Sequence, residues 1–188
     1  MPLSKVEKTL NNIDTFFKKH SMTYAVIGGI AGIIYSLSRT TRDIDITINV
    51  EIENLKDLAK YIANKFIPIK KNPVDFFEKY YVLPAYDKQT NIHIDFAAGL
   101  SEFDKNVIKR SKKIKFGYIT ISVCSIEDLI IYKLVASRTQ DLADIEELLR
   151  IHKNKIDFIY LKAMTREFIK VDRSDVEFKL NEMIKNIK

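Results

Sequence analysis

The chain has 188 residues, of which 46% are hydrophobic and 30% charged, and its net charge is +6. This composition favours a folded domain with a sizeable core and argues against disorder. No run of about 18 uncharged apolar residues occurs and the N-terminus lacks the apolar stretch of a secretory signal, so we expect a cytoplasmic protein without a membrane partner. A single cysteine, Cys124, excludes an internal disulfide and a cysteine-based zinc site.

Hydrophobic periodicity predicts alternating helices and strands in the first half of the chain. The predicted elements are a helix over residues 4–19, a strand over 23–27, a helix over 29–37, a strand over 42–50, a helix from 52 or 53 to 66, and a hairpin of strands over 78–86 and 91–99. The hairpin is inferred from the short polar link between two apolar runs.

The second half of the chain begins with another predicted hairpin at residues 112–123 and continues as helices. These helices are expected at residues 125–137, 140–150, 155–169 and 174–186. The pattern predicts an α/β (α+β) fold, with a mixed sheet flanked by helices and a helical C-terminal part. We expect residues 1–124 to form the core that contains the sheet and residues 125–188 to form a helical region packed on it.

Three aspartates are the candidate metal ligands. Asp43 and Asp45 lie two residues apart on a predicted strand and so project from one face, while Asp95 is expected on a different strand. Neighbouring carboxylates repel each other, whereas a divalent cation between them turns repulsion into coordination. Three such carboxylates predict a two-metal site for Mg²⁺, with Mn²⁺ as a substitute. His93 faces the same side as Asp95; it is interpreted as structural, with a position next to the metal ligands as the alternative.

A glycine pair, Gly28 and Gly29, separates the first strand from the next helix. Glycines without side chains let backbone N–H groups approach phosphate oxygens. Arg39 and Arg42 lie near the acids, and Arg39 is the better candidate to neutralise a triphosphate. A glycine pair alone is most often a plain turn, and a lone Asp-x-Asp is most often surface charge. Together, a phosphate-binding turn and carboxylates on neighbouring strands indicate metal-dependent nucleotidyl transfer. The spacing of a dinucleotide-binding or Walker motif is not present.

Four segments carry a resemblance to a known family: "VIGGIAG", "SRTTRDIDI", "IHIDFAAG" and "SIEDLIIYKLVASRTQDLADIEELL". They resemble the DNA polymerase β nucleotidyltransferase superfamily over roughly residues 20–150. Within it they are more similar to the AbiEii-type abortive-infection nucleotidyltransferase toxins and to a related, uncharacterised nucleotidyltransferase family of bacteria and archaea. The resemblance assigns the nucleotide-binding turn to Gly28 and Gly29, and the catalytic and metal carboxylates to Asp43, Asp45 and Asp95. It assigns a triphosphate contact to Lys133. The acidic segment that follows this lysine is assigned to Asp144 and, less directly, to Arg138 and Asp141.

The resemblance implies an enzyme that moves a nucleoside monophosphate from an NTP such as ATP to an acceptor hydroxyl and releases pyrophosphate. The implied acceptors are a tRNA 3′ end or a protein, and the implied role is the toxin of a toxin–antitoxin pair, with a cognate antitoxin as partner. The alternatives are an antibiotic (small-molecule) nucleotidyltransferase and a non-catalytic NTP- or RNA-binding module. The basic run at residues 105–115 is a candidate RNA contact.

Lys133 and Asp144 also have a plain structural interpretation. Asp144 is compatible with an exposed helix acid, and Lys133 with an ordinary lysine in an apolar helix. One side of that helix is predicted to be buried, so a lysine there must extend to solvent or find an anion. This requirement favours a site role for Lys133.

Overall fold

The computed structural model describes residues 2–38 and 40–186. The predicted nucleotide-binding residue Arg39 lies outside the described residues. Two compact units are present: one comprises residues 2–31 and 40–124, the other residues 32–38 and 125–186. No helix in the described part of the chain combines the length and apolar character needed to cross a membrane.

The first unit contains a seven-stranded mixed sheet. Its strands are β1 (Tyr24–Ile27), β2 (Asp43–Asn49), β3 (Ile67–Pro68), β4 (Val82–Tyr86), β5 (His93–Gly99), β6 (Lys112–Phe116) and β7 (Ile119–Val123). Their order across the sheet is β3-β4-β5-β2-β1-β7-β6. The pairs β2–β5 and β1–β7 are parallel, and the other neighbouring strands are antiparallel.

Helices of the first unit cover one face of this sheet with aromatic residues. They are α1 (Lys5–Lys19), the start of α2 (Gly28–Ile34), α3 (Leu55–Lys65), α4 (Pro73–Tyr80) and α5 (Glu102–Arg110). Phe17 of α1 lies with its ring centroid 4.8 Å from Tyr24 and 6.2 Å from Phe96, and Phe66 lies 5.0 Å from Phe96. Ile44 and Ile46 are buried. This packing buries one set of alternate strand residues and leaves the other set for the site.

The second unit is helical. Its helices are α6 (Ile126–Ala136), α7 (Thr139–His152), α8 (Phe158–Glu167) and α9 (Ser174–Asn186). Asp128, which is fully buried, accepts hydrogen bonds from Ser125 Oγ at 2.8 Å and from Tyr160 OH at 2.6 Å. Burial of a charge without partners is costly, and these two donors satisfy it while joining α6 to α8.

The fold class is confirmed, with a mixed sheet, flanking helices and a helical C-terminal part. The strand predicted over 78–86 is wrong at its start, because α4 continues to Tyr80 and ends at Tyr81 in a left-handed conformation with φ 59°. The helix predicted over 29–37 ends earlier, at Ile34. The helix α5 was not predicted, although Ser101 and Asp104 form a capping box at its start.

Candidate metal and nucleotide site

The acidic residues come together because β2 and β5 are parallel neighbours. Their register pairs Asp43 with His93 and Asp45 with Asp95. Paired residues of adjacent strands project from the same face, and alternation along β2 places Ile44 on the opposite, buried face. One face of two central strands therefore carries three carboxylates and an imidazole.

Asp43, His93 and Asp95 form the acid–histidine cluster. One ligand atom from each lies within 4.8 Å of the others, and all three residues are half-buried. His93 Nε2 lies 3.7 Å from Asp95 Oδ1, which is too long for a hydrogen bond. The donor atoms of the cluster thus converge on one region without satisfying one another.

Thr41 orients the first carboxylate of the cluster. Its Oγ1 donates a hydrogen bond to Asp43 Oδ1 at 2.6 Å and also lies 3.2 Å from the Asp43 backbone oxygen. A hydroxyl that binds one carboxylate oxygen restricts the rotation of the group and leaves the other oxygen available. Sequence analysis did not assign this role to Thr41, whose position two residues before Asp43 was the available signal.

Asp45 points to the glycine turn rather than into the acid–histidine cluster. Its Oδ2 accepts a long hydrogen bond of 3.4 Å from the Gly29 backbone N–H. Gly28 has φ +61°, and a Cβ on Gly28 would lie 1.9 Å from Asp45 Oδ2. A Cβ on Gly29 would lie 2.6 Å from Thr41 Oγ1. The turn thus needs glycine both for its backbone conformation and for the close approach of Asp45 and Thr41.

The electrostatics of the acid–histidine cluster favour a cation. Burial raises the pKa of Asp95, His93 lowers it and the negative charge of Asp43 raises it, so that the pKa stays above its ordinary value. Within residues 2–38 and 40–186, neither Asp43 nor Asp95 forms an ion pair with a lysine or arginine. A bound cation would remove the repulsion that the fold creates between these carboxylates.

The donor set of the cluster fits a divalent metal ion. It offers carboxylate oxygens from Asp43 and Asp95 and an imidazole nitrogen from His93. Ligand atoms lie about 2 Å from an ion such as Mg²⁺, so two of them are at most about 4 Å apart. Small side-chain rotations bring atoms that now lie within 4.8 Å of one another to this spacing.

Lys133 lies in a second group of charges, in the helical unit. We call Lys133, Arg138, Asp141 and Asp144 the Lys133 cluster. Lys133 Nζ lies 2.5 Å from Asp144 Oδ2 and 3.5 Å from Asp141 Oδ1, and its side chain is only 5% exposed. Arg138 Nε donates to Asp141 Oδ2 at 2.7 Å. Burial alone raises the pKa of Asp141, but hydrogen bonding to Arg138 and the charges of Lys133 and Arg138 bring it below its ordinary value.

The structure divides the predicted site residues into two sets. It brings Asp43, Asp45 and Asp95 onto one face of β2 and β5, with Asp45 against Gly28, and it pairs Lys133 with Asp144 within the second unit. His93, interpreted from sequence as structural, lies among the candidate ligands. The two-residue spacing between His93 and Asp95 indicated that they share a strand face. Asp43 is 50 residues away in sequence, and only the register of β2 with β5 shows that it is a neighbour of His93.

Three solved structures share the fold of this chain. The antibiotic-resistance factor ANT(2″)-Ia superposes with a TM-score of 0.60 at 11% identity, covering 92% of this chain and 98% of that chain. The lincosamide antibiotic adenylyltransferase LnuA superposes with a TM-score of 0.53 at 15% sequence identity, covering 76% of this chain and 95% of that chain. An antigenic nucleotidyltransferase-like protein from Paracoccidioides brasiliensis superposes with a TM-score of 0.54 at 15% sequence identity, covering 96% of this chain and 95% of that chain. At these identities the likeness shows the fold alone.

The family of the chain is assigned from its sequence. No curated protein sequence matches the chain. Residues 2–188 match the family described as "Nucleotidyltransferase of unknown function (DUF6036)". The match covers nearly the whole chain and includes both the acid–histidine cluster and the Lys133 cluster. The chain belongs to this family of nucleotidyltransferases, enzymes that use an NTP as donor.

Proposed function

We propose that this nucleotidyltransferase moves a nucleoside monophosphate from an NTP to a hydroxyl of an RNA 3′ end, in a reaction that needs a divalent metal ion. The observation that carries the proposal is the grouping of Asp43, His93 and Asp95 on the strand face where Asp45 meets the Gly28 and Gly29 turn. The acceptor oxygen forms a bond to the α-phosphorus, the bond from that phosphorus to the β-phosphate oxygen breaks, and pyrophosphate leaves. The hydroxyl proton passes to a carboxylate of the site.

The residues of the chain have separate tasks in this proposal. Asp43 and Asp95 hold the metal, and Thr41 fixes the orientation of Asp43. Asp45, the third metal carboxylate assigned by resemblance, links the metal site to the glycine turn. When bound, Mg²⁺ or Mn²⁺ stabilises the negative charge that develops on the phosphate oxygens.

The nucleotide-binding residues are assigned by resemblance, except Arg39, which is assigned from its closeness to the acids in sequence. Gly28 and Gly29 would present backbone N–H groups to the phosphates, and Arg39 and Lys133 would neutralise the triphosphate. Asp144 would hold the Lys133 ammonium group, which it already contacts at 2.5 Å. A buried lysine with a fixed partner loses little conformational entropy when it binds an anion, and this supports the role given to Lys133.

An RNA acceptor is supported by the distribution of basic residues in the first unit. Lys109, Lys112 and Lys115 are exposed and, within the described part of the chain, form no ion pair. The register pairs Lys112 with Val123 and Val123 with Val26, and Val26 pairs with Ile46, next to Asp45. Three strand spacings of about 4.8 Å, or about 14 Å, thus separate β6 from β2 at this level. A phosphate backbone bound at β6 lies within reach of the site.

The test is the incubation of purified protein with total RNA, Mg²⁺ or Mn²⁺, and each of the four α-³²P-labelled NTPs, followed by denaturing gel electrophoresis. We expect label in RNA for the wild type and a loss of at least about 10³-fold for Asp43→Asn, which removes the charge but keeps the shape. Circular dichroism and thermal unfolding establish that the variant is folded. Full activity of a folded Asp43→Asn variant would overturn the proposal.

The same reaction separates the other acceptors. Label on a protein band identifies a protein hydroxyl. A small-molecule acceptor is the second candidate, supported by the fold shared with ANT(2″)-Ia, which has been solved with adenylyl-2″-tobramycin. Chromatography of reactions that contain aminoglycosides or lincosamides in place of RNA tests this candidate. NTP binding without label in any acceptor would identify a non-catalytic binding module.

We further propose that the biological role is that of a toxin with a cognate antitoxin, as the AbiEii-type resemblance implies. Transfer of nucleotides to tRNA 3′ ends would stop translation, so induced expression is expected to arrest growth of the host cells. The Asp43→Asn variant, expressed to the same level, is the control and should permit growth. Equal growth arrest by the two proteins would contradict the toxin role without bearing on the transfer reaction measured in vitro.

A further inference from the structure

The imidazole of His93 lies among the candidate metal ligands. Its Nε2 lies 3.7 Å from Asp95 Oδ1, so the two groups make no hydrogen bond to each other, and both lie within 4.8 Å of a ligand atom of Asp43. The His93 side chain is 28% exposed. A structural histidine would be expected to bind a fixed partner, whereas this one shares an open region with two carboxylates.

Two neighbours restrict the position of the His93 ring. The backbone of β5 pairs with β2 on one side and with β4 on the other, where Tyr86 is the register partner of His93. The Tyr86 ring lies edge to face with the imidazole, with centroids 5.5 Å apart and planes at 66°. Such contacts favour one side-chain orientation, so the nitrogen is held near Asp43 and Asp95 before any ion binds.

The third carboxylate is engaged elsewhere. Asp45 Oδ2 lies against Gly28 and accepts from the Gly29 N–H, and Asp45 is not among the residues whose ligand atoms lie within 4.8 Å of one another. The compact donor set is therefore two oxygens and one nitrogen instead of three oxygens. Mg²⁺ strongly prefers oxygen ligands. Mn²⁺ shares its preference for carboxylate oxygens but belongs to the first-row transition-metal ions, which bind mixed nitrogen and oxygen sites.

We propose that His93 coordinates the metal ion together with Asp43 and Asp95, and that the site consequently binds Mn²⁺ in preference to Mg²⁺. This inference rests on the proposed function for the location of the metal site. It goes further by naming a nitrogen ligand and the ion that this ligand selects. The other two histidines, His20 and His152, belong to contacts of their own: His20 stacks on Tyr61 with centroids 4.6 Å apart, and His152 Nε2 lies 2.9 Å from the Tyr35 carbonyl oxygen.

The experiment uses tag-free, metal-free protein titrated with Mn²⁺ and followed by electron paramagnetic resonance. Loss of the free Mn²⁺ signal gives the affinity, competition with Mg²⁺ gives the selectivity, and pulsed measurements report nitrogen coupled to the bound ion. We expect nitrogen coupling in the wild type. In His93→Asn the coupling should disappear, Mn²⁺ affinity should fall at least about tenfold, and the preference over Mg²⁺ should shrink by a similar factor.

Two control variants make the result specific. His20→Asn removes a histidine outside the site and should keep the nitrogen coupling and the affinity. Asp43→Asn should lose Mn²⁺ binding. Bound Mn²⁺ without nitrogen coupling in the wild type, or an unchanged affinity and selectivity in His93→Asn, would overturn the inference.

The metal-binding experiment and the transfer reaction test the role of His93 and the proposed function separately. If the wild type labels an acceptor but its bound Mn²⁺ shows no nitrogen coupling, the proposed function stands and the role of His93 is wrong. If Mn²⁺ is bound with nitrogen coupling that His93→Asn removes, but no NTP is consumed, the role of His93 stands and the proposed function is wrong.

Discussion

The acid–histidine cluster and the Lys133 cluster contain similar ionisable groups in opposite electrostatic situations. In the first, Asp43 and Asp95 lie half-buried without a lysine or arginine partner among the described residues, and the pKa of Asp95 is raised by burial and by Asp43. In the second, Lys133 and Arg138 lie against Asp141 and Asp144, and the pKa of Asp141 is lowered despite its burial.

The difference concerns which cluster needs a charge from outside the chain to relieve repulsion between its own groups. A group of carboxylates without a protein cation keeps its repulsion until an ion binds, so it contributes to function at a cost in stability. A buried group with balanced charge satisfies itself and requires no ligand to be stable. The contrast makes distinct predictions for substitutions in the two clusters.

The largest expected effect is loss of stability in the Lys133 cluster. Lys133→Met leaves Asp141 and Asp144 buried with one cation fewer, which is expected to cost about 3 to 5 kcal/mol. Urea unfolding monitored by circular dichroism measures the loss. The double variant Lys133→Met/Asp144→Leu removes both partners of the 2.5 Å pair and should recover most of the stability. A single variant as stable as the wild type would show that Lys133 is not the balancing charge.

The glycine turn provides a matched pair of variants. Gly28 has φ +61°, and a Cβ there would lie 1.9 Å from Asp45 Oδ2. Gly117 has φ +58°, and a Cβ there would lie 2.0 Å from Glu7 Oε1. Alanine should therefore cost each about 1 to 2 kcal/mol in the free energy of unfolding. Only Gly28→Ala displaces a site carboxylate, and it should lower the rate of nucleotidyl transfer up to about 100-fold. If the two variants transfer nucleotides at equal rates, the conformation of the Gly28 turn does not affect the catalytic site.

A smaller effect is expected at Thr41, which acts as a positioning residue. Thr41→Val removes the hydroxyl that donates to Asp43 Oδ1 at 2.6 Å, and Mn²⁺ affinity should fall by about 10-fold to 100-fold. Thr41→Ser retains the hydroxyl and should restore the affinity. The free energy of unfolding measured in the same preparations distinguishes a loss of orientation from a loss of folding. If the serine variant binds Mn²⁺ no better than the valine variant, the hydroxyl does not orient Asp43.

The smallest expected effect is a pH dependence of stability from Asp141. Its pKa is lower in the folded state than in the unfolded state, where it is about 3.9, so the unfolded state takes up the proton first as the pH falls. The stabilisation is therefore present above about pH 4 and is lost as the pH decreases below that value.

Urea unfolding at pH values on both sides of about 4 measures this dependence. The stability difference between wild type and Asp141→Asn should be constant at higher pH and shrink in the acid range. Asp57→Asn, at an exposed carboxylate of α3, is the control and should show no such change. A difference between wild type and Asp141→Asn that does not change with pH would mean that the ion pairs of Asp141 do not stabilise the folded state.

Local sequence pattern was sufficient for most of the elements but not for those whose ends depend on specific caps. The apolar patterns correctly predicted α1 and the four helices of the second unit. Of these, α1, α7, α8 and α9 bury one face, whereas α6 is buried at eight of its eleven residues. The tyrosine-rich segment before β4 has residues typical of a strand, and yet Tyr80 ends a helix. There the left-handed conformation of Tyr81 ends α4, a feature that strand propensity does not encode.

The sequence by itself determined the chemistry that the chain can perform. The two-residue spacing of Asp43 and Asp45 gives them one face of a strand, the same spacing joins His93 to Asp95, and the glycine pair permits a turn with positive φ. These are local properties, fixed by backbone geometry within a few residues. They were enough to indicate a nucleotidyltransferase, the family to which the chain belongs, while metal dependence stays a prediction.

Only the tertiary structure decided which donors share the site. The parallel register of β2 with β5 places His93 beside Asp43, and packing against Gly28 turns Asp45 away from the acid–histidine cluster. The contacts of the Lys133 ammonium group with Asp141 and Asp144 depend likewise on how α6 meets α7. Strand register and side-chain orientation depend on contacts between distant parts of the chain, so no local pattern contains them.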